Sequence, residues 1–224
     1  MFHAIIYEPI LQTLIFIYQN IAFNDLGLAI IVLTILLRIV LFPIFHKGAK
    51  SQALMVKIQP EIKKIQKDLK DNKEEQAKAL MAVYKKHKFN PFSGILLLLI
   101  QLPIFFALFK IFSKEISQSV FGNTIFLGLI DLKSPNLTVA FLAAILQYWQ
   151  GKLSMPSASN HSSEDKMADF GKMMMYMGPA MTLIVLIKLP SALGLYWVVS
   201  TLFSVIQQIY INKKMQIQPS PPST

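Results

Sequence analysis

Apolar residues are concentrated in five runs along the chain, separated by more polar connections. The runs occupy residues 24–45, 91–112, 136–150, 173–188 and 189–212. A helix of roughly 20 apolar residues crosses a hydrocarbon core about 30 Å thick. We therefore predict an all-α, polytopic membrane protein with five transmembrane helices, the third of them short.

Residues 1–23 are also apolar, but Pro9 and polar side chains interrupt them and they contain no Lys or Arg. Their apolar residues recur at helical spacing: Ile6, Ile10, Leu14, Ile17 and Ile21. This pattern is typical of an amphipathic helix that lies in the membrane interface. An additional span is the alternative, because a proline near the start of a helix costs little.

Residues 46–90 form a basic connection, in which residues 47–88 carry twelve Lys against five acids. By the positive-inside rule this connection is cytoplasmic. Two amphipathic patterns flank a polar break at Asp71 and Asn72, so we predict a helical hairpin. Pro60 is expected to kink or restart the first arm. The predicted inward positions are Leu54, Ile58, Ile62, Ile65 and Leu69, then Ala77, Leu80 or Met81, and Tyr84.

The other connections complete a topology with the N-terminus outside and the C-terminus in the cytoplasm. Residues 113–135 form an outer loop, residues 151–172 a flexible cytoplasmic loop, and residues 213–224 a disordered cytoplasmic tail. Six apolar residues of the outer loop are expected to enter the interface: Phe121, Ile125, Phe126, Leu127, Leu129 and Ile130.

Composition narrows the possible functions. The chain of 224 residues is 54% hydrophobic yet has a formal charge of +10, so apolar and basic segments are segregated. Lysines beside membrane spans set topology or contact anionic headgroups, so we expect no nucleic-acid specificity. The absence of Cys excludes thiolate chemistry, and no phosphate-binding Gly-x-x-x-x-Gly-Lys-Ser/Thr motif occurs. We expect no cofactor.

Arg38 is the only charged residue between Leu26 and Phe45 in the first predicted span. An arginine near the centre of a span costs about 2.5–3.5 kcal/mol or more, and no predicted span offers it a carboxylate in its interior. A snorkelling side chain without function is one interpretation. The other is that Arg38 lines a water-filled cavity. Thr34 precedes it by four residues and shares its helical face.

Each of the other predicted spans also contains a polar side chain, and these are candidates for lining the same groove. Such groups can also simply join helices, at about 0.6 kcal/mol per hydrogen bond. The residues assigned to the groove are Gln101, Gln147, Gln150 and Ser200, together with Arg38 and Thr34.

Several motifs, in order and at matching spacing, resemble the YidC/Oxa1/Alb3 membrane insertase family over nearly the whole chain. They are residues 27–38 (GLAIIVLTILLR), 59–63 (QPEIK), 84–91 (YKKHKFNP), 99–105 (LIQLPIF), 130–135 (IDLKSP) and 194–200 (GLYWVVS). The resemblance implies five spans around a hydrophilic groove that is open to cytoplasm and lipid and sealed from outside. It adds Trp197 to the groove.

The resemblance implies an insertase or chaperone for membrane proteins in the bacterial plasma membrane, which is not an enzyme and hydrolyses no nucleotide. Its partners would be newly made membrane proteins, with the Sec translocon as a further candidate. Gln150-Gly151 departs from the paired glutamines often found after the third span. No large outer domain precedes the first span and no long basic tail follows the last, so the tail is not expected to dock on ribosomes.

The hairpin lysines form a candidate recruitment surface for ribosomes, targeting factors or anionic lipids. The residues assigned to it are Lys63, Lys64, Lys67, Lys85 and Lys86. The alternative is a solvated lysine face that binds nothing.

Two rival functions lack their usual sequence features. A small channel or transporter could use Arg38 as an anion site, but transporters usually contain repeated halves, and the basic hairpin has no second copy. An intramembrane enzyme would need paired acids or a His-containing motif within its spans. The four His residues lie outside the span interiors.

Overall fold

The computed structural model describes residues 2–90, 93–118, 121–154 and 166–216, and it is almost entirely helical. This confirms the predicted all-α class. In chain order the elements are a π-helical turn (His3–Tyr7), α1 (Glu8–Asn20), α2 (Leu26–Val40), α3 (Phe42–Asp68), α4 (Lys73–Lys86), α5 (Ser93–Lys114), a 3₁₀ turn (Glu115–Gln118), β1 (Ile125–Phe126), β2 (Ile130–Asp131), α6 (Leu137–Ser154), α7 (Lys166–Leu186) and α8 (Ser191–Lys214).

Helix α2 is shorter than the first predicted span. It begins at an Asp25 cap, whose carboxylate accepts a hydrogen bond from the Leu28 amide at 2.9 Å. It ends at Val40, and α3 then leaves at 73° with Pro43 in its first turn. Residues 42–45, expected to continue the span, therefore begin α3.

The hairpin consists of α3 and α4, joined by residues 69–72. Ile58, Ile62 and Val83 are its buried core. Leu80 packs against this core, whereas Met81 is 56% exposed, which resolves the two alternatives at that turn. Helix α3 continues through Pro60 without restarting, because a proline removes one backbone hydrogen bond and the rest of the long helix persists.

The largest core lies among α1, α2, α5 and α8. Leu14, Ala29, Leu108 and Leu193 are all completely buried in it, each at 0% exposure. Helix α6 packs against α7 and α8 through small residues such as Ala140 and Ala143, which allow helices to approach closely. Because Leu14 of α1 belongs to the largest core, α1 has one face buried in the protein.

The outer connection contains a two-stranded antiparallel ribbon, in which Phe126 pairs with Ile130. Phe126 packs over Gly27 at the start of α2, and Phe121 is 1% exposed. Both were expected in the membrane interface but belong to the protein core. Phe126 faces inward because alternate strand residues face opposite sides, and Phe121 packs against the Tyr18 ring of α1. Ile130 is half-buried, whereas the other three predicted residues are exposed: Ile125, Leu127 and Leu129.

Within the described residues, α8 is long and apolar enough to cross a membrane, and α2 with α3 passes the same test as a bent pair. The count of five spans stays a prediction. Half of the predicted cytoplasmic loop, residues 155–165, and most of the predicted tail, residues 217–224, lie outside the described residues. The described parts of the predicted loop, residues 151–154 and 166–172, are not flexible loop but belong to α6 and α7.

Candidate functional site

Arg38 lies in the last turn of α2 and is only 8% exposed. Its Nε donates a hydrogen bond to the Ser200 hydroxyl of α8 at 3.0 Å, and its Nη2 donates to the same oxygen. The guanidinium carbon lies 4.3 Å from the centre of the Phe45 ring, a distance suited to a cation–π contact. The α2–α3 bend places this ring beside the charge.

No carboxylate pairs with Arg38 in the part of the chain that the structure describes. A guanidinium has five N–H donors, and one serine oxygen cannot satisfy them all. Burial of a charge without an opposite charge is costly unless water or a ligand completes its hydrogen bonds. The arrangement therefore requires water or an external hydrogen-bond acceptor beside Arg38.

A cavity of about 340 Å³ adjoins the guanidinium. It is large enough for several water molecules or for a short stretch of peptide. Six of the seven residues assigned to the groove from sequence line this cavity: Arg38, Gln101, Gln147, Gln150, Trp197 and Ser200. Helices distant in the chain thus place their polar groups around one space.

Thr34 is not among the residues that line this cavity. Its hydroxyl donates to the Ile30 carbonyl at 2.6 Å, and the side chain borders a second, much smaller space of about 10 Å³. Arg38, Gln101 and Tyr196 border the same small space. Thr34 therefore lies on the Arg38 face, as predicted, but deeper in the protein.

Gln147 organises one wall of the cavity. Its Oε1 accepts hydrogen bonds from the Thr182 hydroxyl at 2.6 Å and from the Trp197 indole nitrogen at 2.8 Å. A single amide of α6 thus joins α7 and α8. The indole N–H is the only polar group of the Trp197 side chain, so its hydrogen bond to Gln147 also fixes the orientation of the Trp197 ring at the cavity.

Gln101 and Tyr196 link α5 to α8 on the opposite wall. The Gln101 amide donates to the Tyr196 hydroxyl, and Tyr196 is only 4% exposed. Buried tyrosine hydroxyls ordinarily need such a partner. Tyr196 thereby stands beside Arg38 as a second polar group of the cavity.

A series of neutral amides extends the cavity along α8. Gln208 donates to Asn212 at 2.9 Å, and Asn212 donates to the Leu153 carbonyl at 2.8 Å. Gln207 is 7% exposed, and its amide nitrogen has no hydrogen-bond acceptor among the described residues. A buried donor of this kind is usually satisfied by water or a ligand.

Several residues that line the cavity were not assigned to the groove from sequence. Gln207 and Gln208 were recognisable as polar groups in the last span, whereas Phe45 and Gln52 depend on the α2–α3 bend. The additional lining residues are Phe45, Ala49, Gln52, Leu97, Tyr196, Thr201, Ser204, Gln207 and Gln208. Tyr196 precedes Trp197 in the same motif, and only the helix orientation shows that both reach the cavity.

None of the five hairpin lysines is among the residues that line this cavity. Lys64, Lys67 and Lys85 are exposed, and Lys63 is half-buried. Lys86 is also exposed, but its Nζ contacts Glu61 at 2.6 Å, so part of its charge is neutralised.

Glu61 also joins the two arms of the hairpin. Its second oxygen lies 2.7 Å from His87 Nε2, beside the Lys86 contact. The hydrogen bonds from Lys86 and His87 hold the pKa of Glu61 below its ordinary value.

The chain matches known proteins over most of its length. A family model described as "60Kd inner membrane protein" matches residues 16–218. A protein of Geobacter metallireducens named membrane protein insertase YidC is 34% identical over 95% of this chain and 38% of its own length. A protein of the same name from Geotalea uraniireducens is 33% identical over 93% of this chain and 37% of its own length.

A solved structure is also similar. The crystal structure described as an active YidC insertase with the first transmembrane domain resolved aligns with a TM-score of 0.65 at 28% identity. The alignment covers 91% of this chain and 46% of that chain. The chain thus spans about two fifths of the length of the curated relatives it matches.

Proposed function

Since the chain belongs to the 60Kd inner membrane protein family, whose matched relatives are named membrane protein insertase YidC, we propose that it inserts membrane proteins into the bilayer. The cavity beside Arg38 serves as the intermediate site for the polar part of a substrate. Newly made membrane proteins of the bacterial plasma membrane are the proposed substrates. No nucleotide is consumed.

One observation carries this proposal: a buried arginine that pairs with no carboxylate among the described residues faces a polar cavity in a member of a membrane-protein family. A polar or acidic segment gains from entering such a cavity, because the guanidinium and the amides replace part of its hydration. The segment then never faces hydrocarbon without hydrogen bonds, which would cost several kcal/mol per group.

The rest of the path is energetically downhill. A substrate helix of about 20 apolar residues is more stable in hydrocarbon than in water. The protein therefore needs only to lower the free-energy barrier for moving the polar segment of the substrate that flanks this helix. Release of the apolar helix into lipid supplies the driving force.

The topology and the recruitment surface belong to the same proposal. With the basic hairpin in the cytoplasm, its exposed lysines meet substrates, ribosomes, targeting factors or anionic headgroups before insertion. The N-terminus is then outside and the C-terminus inside. Action beside the Sec translocon is compatible with this arrangement.

The test compares Arg38→Ala with Arg38→Lys on two single-span substrates that differ only in an acidic or a neutral translocated tail. Because the cavity charge attracts the acidic tail, Arg38→Ala should slow insertion of that substrate about tenfold or more and the neutral one far less. Arg38→Lys keeps the charge and should preserve most of the difference. Insertion rates are measured by protease protection in proteoliposomes.

Equal slowing of both substrates by Arg38→Ala would contradict the electrostatic role. Ser200→Ala is the matched control, since it removes the arginine's hydrogen-bond acceptor but keeps the charge. It should affect the two tails alike.

A further inference from the structure

Three apolar side chains stand out in connections rather than on helices. Phe23, between α1 and α2, is 90% exposed, and Leu127 and Leu129, in the β1–β2 turn, are 68% and 84% exposed. Both connections lie at the same end of α2, because Phe126 packs over Gly27 in its first turn. The basic hairpin follows the other end of α2.

The backbone at two of these residues adopts an unfavourable conformation. Phe23 and Leu127 have φ angles of +51° and +53°, in the left-handed region that side chains other than Asn and Asp seldom adopt. Leu127 and Gly128 are the central residues of a turn closed by the Leu129 amide and the Phe126 carbonyl at 3.1 Å. Two positive φ values are the pattern of a type I′ turn, where Asn normally precedes Gly.

Hydrogen bonds to neighbouring segments hold the β1–β2 turn in place. The Leu132 amide donates to the Thr124 carbonyl at 2.9 Å, and the Ala192 amide of α8 donates to the Leu132 carbonyl at 3.1 Å. Ser191 of α8 donates its hydroxyl to the Asp131 carbonyl at 2.7 Å. The exposed leucines are therefore held in place. A surface that faces water would favour Asn and other polar residues at these positions.

The thickness of the bilayer indicates what covers Phe23, Leu127 and Leu129. With 15 residues, α2 spans only about 22 Å, whereas the hydrocarbon core is about 30 Å thick. Because α3 turns away at 73° after Val40, we place the missing length beyond Leu26. The sequence matches this requirement, with no charged residue between Glu8 and Asp25 or between Glu115 and Asp131.

We propose that Phe23, Leu127 and Leu129 insert into the lipid at the membrane face opposite the basic hairpin and fix the depth of this end of the protein. Acyl chains and the inner edge of the headgroups are the occupants, since residues 9–24 and 116–130 carry no charged side chain with which to recognise a polar partner. This proposal rests on the family's place in the inner membrane and not on the proposed insertion activity.

The chain has no Cys, so single-cysteine variants are directly available. The fluorophore NBD is attached to Leu129→Cys. It is also attached to Lys133→Cys, the control, because Lys133 is an exposed residue of the same loop. Both proteins are reconstituted in vesicles of phosphatidylcholine and phosphatidylglycerol. Quenching by doxyl-labelled phosphatidylcholine is compared with quenching by iodide. We expect lipid quenching at Leu129 to be at least twice that at Lys133, with the order reversed for iodide.

An apolar label can carry its own residue into lipid, so the measurement is repeated with Phe23→Asn and Leu127→Asn added to the Leu129→Cys protein. Asn suits positive φ, so thermal stability in detergent should stay equal or rise, while lipid quenching falls by at least half. Unchanged quenching overturns the proposal. So does iodide quenching at Leu129 equal to that at Lys133, or protection from both quenchers, which would indicate a second copy as the occupant.

Discussion

At the scale of single residues, Gln147 is the hydrogen-bond centre of the cavity wall. We expect Gln147→Leu to lower the free energy of unfolding by about 1–3 kcal/mol, because it leaves two donors, Thr182 and Trp197, without their common acceptor. The variant should also free the Trp197 ring. Thermal unfolding in detergent measures the first effect, and tryptophan fluorescence with Trp149 replaced by Phe measures the second.

Gln150→Leu is the matched control for this prediction. Gln150 lies on the same helix and lines the same cavity, but no other described residue makes a hydrogen bond to its side chain. Its loss should leave stability almost unchanged. Equal destabilisation by both substitutions would mean that the Gln147 bonds contribute nothing specific.

Asp131 makes the outer loop sensitive to acid. The Lys133 amide donates to its carboxylate at 3.0 Å and the Ser134 hydroxyl at 2.9 Å, and these bonds hold its pKa below the ordinary value. A lowered pKa contributes stability above the unfolded pKa of about 3.9 and loses it as pH falls through the folded pKa. Asp131→Asn should therefore unfold at a lower temperature than the parent at pH 7.

The difference between parent and Asp131→Asn should shrink as pH falls below about 4 and disappear only below the folded pKa of Asp131, which thermal scans across this range can check. Asp71→Asn is the control, because Asp71 is exposed and its side chain makes no hydrogen bond within the part of the chain that the structure describes. A difference for Asp131→Asn that is independent of pH would exclude the carboxylate as its cause.

Residue type alone predicted much of the cavity. A charge or an amide within an apolar run is expensive in lipid, so such residues can be expected to face one another or water. This argument grouped Arg38 with Gln101, Gln147 and Ser200, and the structure places all four around one cavity. It could not find Tyr196 or Phe45, because aromatic side chains are as common on lipid-facing surfaces as in cavities.

At the scale of elements, the bend between α2 and α3 was not predictable from hydrophobicity. Residues 42–45 are as apolar as the helix before them, and the only signal is Pro43, which is well placed in the first turn of a new helix. The bend moves Phe45 beneath Arg38 and brings Gln52 to the cavity. Helix periodicity gives the faces of an element but not the angle to the next one.

The hairpin offers an element-scale prediction, because Glu61 of α3 contacts both Lys86 at the end of α4 and His87 immediately after it. Glu61→Gln removes the charge and should let α4 open more often. Amide hydrogen exchange in α4 should become about two- to fivefold faster, the range expected for a solvent-exposed ion pair. The effect should shrink in 1 M salt.

Glu74→Gln controls for a simple change of net charge. Glu74 pairs with Lys78 within α4 at 2.6 Å and does not reach α3. Its loss should leave the contact between the arms intact. If Glu61→Gln and Glu74→Gln raise amide hydrogen exchange in α4 equally, the contact of Glu61 with Lys86 and His87 does not stabilise the pairing of the two arms.

At the scale of the whole molecule, the site is assembled from positions far apart in the chain. Arg38 and Ser200 are 162 residues apart, and Gln101 and Tyr196 are 95 apart. Composition and charge predicted an all-helical membrane protein, and ordered motifs indicated its family, which the comparisons confirm. The pairing of helices that closes the cavity required the structure, since apolar periodicity does not say which faces meet.

The last prediction concerns whether this chain is sufficient for insertion, since it spans about two fifths of its curated relatives. Arg38, the amides and the apolar helices around them are all present, and transfer of an apolar helix into lipid is itself favourable. Purified protein in liposomes should therefore insert a small single-span substrate without nucleotide, membrane potential or other proteins. Protease protection should appear faster than in protein-free liposomes. A rate no higher than in protein-free liposomes, or one that appears only with added nucleotide, would show that the downhill path from cavity to lipid is not enough.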